Sequence, residues 1–216
     1  MAVTTNRRAE ASAPPLTRFD RVERIVHWTN ATLMLTMLVT GSMLYFGPLS
    51  AFVGRRETLK TIHVWCGLVL PVPLLLGLVI GRGFRLDVKR LGRFDDEDWR
   101  WLRSWGRRGR PGKFNAGQKL NAAFVAGVIP VMLATGSIMR WFKPFPLSWR
   151  TGATFVHDWV FLALLVVVIG HIGKALADPT ALKGMISGRV PRSWARRNRP
   201  RWLAELEREG DRAPIE

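Results

Sequence analysis

The sequence predicts an all-α integral membrane protein, a four-helix bundle with both termini on the cytoplasmic side. Three observations lead there. Four apolar runs, Ile25–Phe46, Thr61–Ile80, Leu120–Arg140 and Ala153–Leu176, are each 20 to 24 residues long. A hydrocarbon core of roughly 30 Å takes about 20 helical residues to cross. Positive charge is concentrated between the runs, and all four histidines, His27, His63, His157 and His171, lie inside them. An ionisable side chain placed in lipid costs free energy and marks function.

Residues 1–24 form a basic leader. The first run is too long, and its Pro-containing approach (Ala11–Thr17) too unlike a short basic one, for a cleavable signal. The 216-residue chain carries a net charge of +17. Of its 33 Lys and Arg, 27 fall in three segments, 1–24, 81–119 and 173–216, while the short connections 47–60 and 140–152 hold the other six. With four spans these two sets lie on opposite faces, and the positive-inside rule puts both termini and the 81–119 loop in the cytoplasm. The charge is therefore a topology signal and a contact for anionic lipid, not a nucleic-acid footprint. In lipid the backbone must satisfy its own hydrogen bonds, so the spans are helices. Pro71 and Pro73 in the second span and Pro130 in the third are ordinary membrane-helix prolines or kinks that shape a cavity. Residues 95–108 read as a short amphipathic piece at the inner interface with Trp anchors. The 177–216 tail shows no strong period and reads as a solvated basic tail or a partner-docking surface. The single cysteine, Cys66, excludes an intramolecular disulfide and, with no C-x-x-C-H, covalent c-type haem.

A weak internal repeat relates two helix pairs. Thr40-Gly41-Ser42 recurs as Thr135-Gly136-Ser137, 95 residues on, and His63-Val64-Trp65 as His157-Asp158-Trp159, 94 residues on. His27 and His171 have no histidine counterpart; their positions match Ala122 and Gly77.

Topology sorts the histidines by depth. His27 opens a span running outward and lies on the inner side. His63 and His157 each open a span running inward and lie on the outer side. His171 follows His157 by 14 residues, which at about 100° and 1.5 Å per residue returns it to nearly the same helix face roughly 21 Å deeper. His63 is thus expected to pair with His157, and His27 with His171. Two neutral imidazoles per site suit the axial positions of a haem iron. Zinc wants four protein ligands, or three and a water, and only Asp158 is at hand to add one. Gly41, Gly67, Gly77, Gly127, Gly136 and Gly170 let helices approach or leave room for a flat macrocycle.

With Arg18-Phe19 through His27-Trp28, Asn115-Ala116-Gly117-Gln118-Lys119, His157-Asp158 and Ala181-Leu182-Lys183-Gly184-Met185 in place, residues 17–206 resemble the cytochrome b (gamma) subunits of membrane-bound respiratory formate dehydrogenases. These sit within the bacterial cytochrome b561 and nickel–iron hydrogenase b-type subunit family. The tail departs from related tails after Trp194-Ala195, where Arg196-Arg197-Asn198 stand in place of histidines. The resemblance implies two b-type haems on the histidine pairs and location in the bacterial inner membrane. It also implies a quinone (menaquinone or ubiquinone) on the cytoplasmic side at the positions of Asn115, Gly117 and His171. It further implies an iron–sulfur (beta) subunit and a molybdenum- or tungsten-containing catalytic (alpha) subunit as partners. Asn115 also fits a helix N-cap, and Arg24 or Lys174 fit a haem propionate as well as the positive-inside pattern. The alternatives are the cytochrome b subunit of a hydrogenase or a thiosulfate-type reductase, and a haem-free anchor or transporter using histidines as proton relays.

Overall fold

A computed structural model describes residues 14–210; the leader before residue 14 lies outside the described residues. The elements are β1 (Leu16–Thr17), α1 (Arg21–Tyr45), α2 (Gly47–Val53), α3 (Arg56–Val69), α4 (Pro71–Ile80), α5 (Arg82–Leu91) and α6 (Asp96–Arg103). Then follow α7 (Ala116–Arg140), α8 (Leu147–Leu176), α9 (Pro179–Ser187), β2 (Arg189–Val190), α10 (Arg192–Asn198) and α11 (Pro200–Gly210). Among the described residues three helices are long and apolar enough to cross a membrane: Arg56–Ile80, Ala116–Arg140 and Leu147–Leu176. A fourth span results if the bent pair α1 and α2 counts as one. The protein is thus predominantly helical, with membrane-capable helices.

The chain divides into two compact units. The first comprises Ile25–Arg82 and Phe124–Lys174. Leu38, Val128, Phe161 and Leu164 form its buried centre, with Met34, Phe124 and Met132 against them. Its helices are apolar on their outer faces too, and Val79, Ile80, Val166 and Ile169 stay exposed. Helices apolar all round suit lipid, not water. The helices start before the apolar runs, at Arg56, Ala116 and Leu147, because a helix continues past the hydrocarbon wherever its backbone can still pair. The second span is interrupted at Leu70, ahead of Pro71, which has no N–H to donate. Pro130 lies inside an unbroken α7.

The second unit gathers residues up to Arg24, Gly83–Ala123 and the chain from Ala175 on. Here the basic tail, read from the sequence as solvated or as a partner-docking surface, forms ordered elements of its own. β2 pairs antiparallel with β1, Leu16 opposite Val190 and Thr17 opposite Arg189. Val190, Trp194, Ala195, Trp202 and Leu203 make a buried core with Leu16. Asp178 caps α9 by accepting from the Ala181 N–H at 3.0 Å, and also accepts from Trp194 Nε1. Gly188 ends α9 with φ +84°, a conformation that glycine adopts without steric cost. The Arg18 guanidinium is buried between the rings of Phe19 and Trp194, 4.8 and 4.6 Å from their centroids.

The 95–108 stretch is also more than an interfacial anchor. Asp95 and Asp98 form a reciprocal capping box on α6. Asp98 is buried and paired with Lys119, which also donates to the Arg93 carbonyl at 2.7 Å. Trp101 packs where a Cβ on Gly117 would stand, its Cη2 at 3.2 Å. Trp99 and Trp105 remain exposed. Lys113 bridges Glu23 at 3.3 Å and Asp87 at 2.5 Å, all three side chains buried.

Candidate metal centres

α8 carries one histidine near each end of its apolar stretch. His157 faces His63 of α3, the ring centroids 6.3 Å apart and the planes at 64°. Fourteen residues on, about 21 Å along the helix, His171 faces His27 of α1, again at 6.3 Å, with planes at 51°. The chain therefore brings its four histidines together as two pairs, His63 with His157 and His27 with His171.

The spacing can be tested against a metal. An imidazole nitrogen sits about 2.0–2.1 Å from a coordinated ion and roughly 1.1 Å from its own ring centroid, so two trans ligands hold their centroids about 6.3 Å apart. Both pairs meet that distance. Among the described residues no three His, Cys, Asp or Glu converge on one point, so two imidazoles are what each site offers. A group that brings its own donors, as a haem macrocycle does, would fit such a two-imidazole site.

The repeated Thr-Gly pair lies against the rings of His63 and His157. Thr40 Oγ1 is 3.0 Å from His63 Nδ1, and Thr135 Oγ1 is 2.9 Å from His157 Nδ1. A Cβ on Gly41 would meet His63 Cε1 at 3.3 Å, and one on Gly136 would meet His157 Cε1 at 3.4 Å. Sequence reasoning singled out the repeat and its glycines but not the threonines; the similar offset of Thr and His in the two halves, 23 and 22 residues, was the available signal. A Cβ on Gly67 would instead meet Met37 Sδ at 3.5 Å, and one on Gly127 or Gly170 would meet nothing within 4 Å.

In the second unit Asn115 is the N-cap of α7. Its Oδ1 accepts from the Gln118 N–H at 2.9 Å, and Gln118 Oε1 accepts from the Asn115 N–H at 3.1 Å. The amide nitrogen Nδ2 makes no hydrogen bond among the described residues. Arg199 Nη2 donates to Gln118 Oε1 at 3.1 Å, tying the tail to this cap. The lack of a side chain at Gly117 is explained by Trp101. Arg24, considered for a haem propionate, donates through Nη1 to the Ile186 carbonyl at 2.7 Å and through Nε to Asp20 O at 3.3 Å.

Residues 18–188 match the family model described as prokaryotic cytochrome b561. The chain is 26% identical over 209 residues to the cytochrome b556(Fdn) subunit of the nitrate-inducible formate dehydrogenase of Escherichia coli K12, covering 89% of this chain and 92% of that one. It is 28% identical over 203 residues to the cytochrome b556(fdo) subunit of formate dehydrogenase from the same organism, covering 88% and 93%. A formate dehydrogenase cytochrome b556 subunit of Haemophilus influenzae is 23% identical over 196 residues, covering 84% and 79%. With the family model matched over most of its length, the chain belongs to the prokaryotic cytochrome b561 family.

Proposed function

We propose that the chain is the di-haem cytochrome b membrane subunit of a respiratory formate dehydrogenase, passing electrons from an iron–sulfur partner on the outer side to quinone on the cytoplasmic side. One observation carries this: two imidazole pairs, each at 6.3 Å, share a single helix at a 14-residue spacing. His63 and His157 hold the outer haem; His27 and His171 hold the inner one. Bound b-type haem supplies one-electron redox chemistry, and the helices supply ligands, spacing and a low-dielectric surround. The relatives named as formate dehydrogenase subunits support the choice of complex, with an iron–sulfur subunit and a molybdenum- or tungsten-containing catalytic subunit as its other members.

Asn115, Gly117 and His171 are proposed for the quinone on the strength of the family resemblance. Asn115 adds a physical reason, since capping engages its Oδ1 and leaves Nδ2 to donate to a quinone carbonyl. The positive-inside pattern supports both termini, and this site, on the cytoplasmic side of the bacterial inner membrane. Electrons moving inward while protons are consumed inside would charge the membrane.

His171→Ala tests the assignment. The variant complex is expected to lose one of two haems and quinone reduction, while formate still reduces the remaining haem. Unchanged haem stoichiometry would overturn the pairing.

A further inference from the structure

The Thr-Gly repeat has a role that helix packing alone does not explain. Thr40 Oγ1 lies 2.7 Å from the Thr36 carbonyl oxygen, and Thr135 Oγ1 lies 2.7 Å from the Val131 carbonyl oxygen. A carbonyl oxygen only accepts, and two acceptors at this distance repel, so each hydroxyl spends its one hydrogen on the carbonyl one turn back. The hydroxyl oxygen is then an acceptor toward the ring 3.0 or 2.9 Å away. His63 and His157 must donate from Nδ1–H. That tautomer leaves the Nε2 lone pair free.

We infer that Thr40 and Thr135 are positioning residues that fix the tautomer and rotation of the two outer haem ligands and lower the potential of that haem alone. The inference rests on the proposal that His63 and His157 bind haem. The physical basis is the usual one for a metal-bound imidazole. Donation of its second N–H to an oxygen orients the ring and makes the ligand more basic, and a more basic ligand favours the ferric state. Gly41 and Gly136, each next in sequence to its threonine, admit the ring close to the helix backbone, with His Cε1 at 3.3 and 3.4 Å from where a Cβ would be. The arrangement recurs in both halves of the chain. It does not recur at the inner pair, where among the described residues no hydrogen-bond partner meets the ring nitrogens of His27 or His171.

The experiment is a redox titration of the purified holocomplex carrying Thr40→Val, Thr135→Val, or Thr→Ser at either site. Valine keeps the branched shape and removes the oxygen; serine keeps the oxygen. Of the two b-haem waves, one is expected to move upward in each valine variant and the other to stay. The expected ceiling is about tenfold in ferric-over-ferrous preference, about 59 mV for one electron. Serine is expected to restore the wave. Selective loss of one haem of two, restored by serine, supports the same role.

Unmoved waves in both valine variants, equal movement of both waves, or valine and serine behaving alike would overturn it. If the valine variants do not accumulate, the wild-type complex decides. Pulsed electron–nuclear spectroscopy in D2O should find two slowly exchanging imidazole N–H protons on one haem, and none there would overturn the assignment. A wild-type complex lacking b-type bands would instead refute the haem proposal beneath it.

Discussion

Lys113 is the sharpest test of how the folded tail and loop unit is held. Its ammonium lies 3.3 Å from Glu23 Oε1 and 2.5 Å from Asp87 Oδ2, with no side chain of the three more than 8% exposed. Lys113→Met removes the cation and keeps the stem. Methionine sulfur replaces the ammonium beside the rings of Phe19 and Phe114, which lie 5.1 and 5.7 Å from Nζ. At an effective dielectric constant of about 20, the Glu23 contact alone is worth roughly 5 kcal/mol gross. Desolvation offsets much of that when the pair forms, but a partner stripped from a buried pair leaves its charge stranded, at about 3–5 kcal/mol. Asp87 retains Arg90 at 3.3 Å, Glu23 retains the Asp20 N–H, and burial together with the Asp87 hydrogen bond already favours a protonated Glu23 that relieves part of the stranded charge, so the low end, about 3 kcal/mol, is the upper bound expected. Adding Glu23→Gln removes the stranded charge and keeps an acceptor for Asp20, so the double variant should recover most of the loss. Hydrogen exchange of α5 and residues 113–119 in detergent measures both. A loss under about 1 kcal/mol for Lys113→Met, or no recovery in the double variant, would refute the reasoning.

At Gly136, alanine should be tolerated, because its Cβ meets His157 Cε1 at 3.4 Å, an ordinary contact. Leucine must displace the ring, and pyridine haemochrome analysis should then show about one haem lost of two, with overpacking costing about 1–3 kcal/mol. Asn115→Leu should slow quinone reduction while leaving both haems reducible by formate. It should also loosen the start of α7 by about 1 kcal/mol through the lost cap, and unchanged quinone kinetics would remove Asn115 from that role. At Asp95, burial pulls the carboxyl pKa upward, but the Asp98 backbone N–H and Arg201 outweigh it and hold the group below its ordinary 3.8. Its contribution is therefore present above pH 3.8 and is lost as pH falls through the lowered value. Exchange protection of α6 should fall with acid in the wild type, and more weakly in Asp95→Asn.

What the sequence disclosed was whatever rests on local pattern. Apolar runs long enough to span, a 14-residue step between His157 and His171, and charge sorted by loop are visible without knowing any distant contact. The tail was opaque for the opposite reason. Its order comes from partners far away in the chain, Leu16 with Val190, Arg18 with Trp194, and Gln118 with Arg199, and no hydropathy period announces such pairs. Trp101 looked like a membrane anchor because it stands with Trp99 and Trp105 in one amphipathic stretch; the structure leaves those two exposed and packs Trp101 against Gly117. Asn115 fitted both a cap and a ligand contact, and the reciprocal bonds with Gln118 establish the cap.

The most direct measurement is the number of b-type haems per chain in the purified complex, by pyridine haemochrome and reduced-minus-oxidised spectra. Two haems per chain, with His63→Ala and His171→Ala each removing a different one, is the predicted result. No b-type bands, or two haems surviving either substitution, would contradict the assignment of four histidines to two axial pairs.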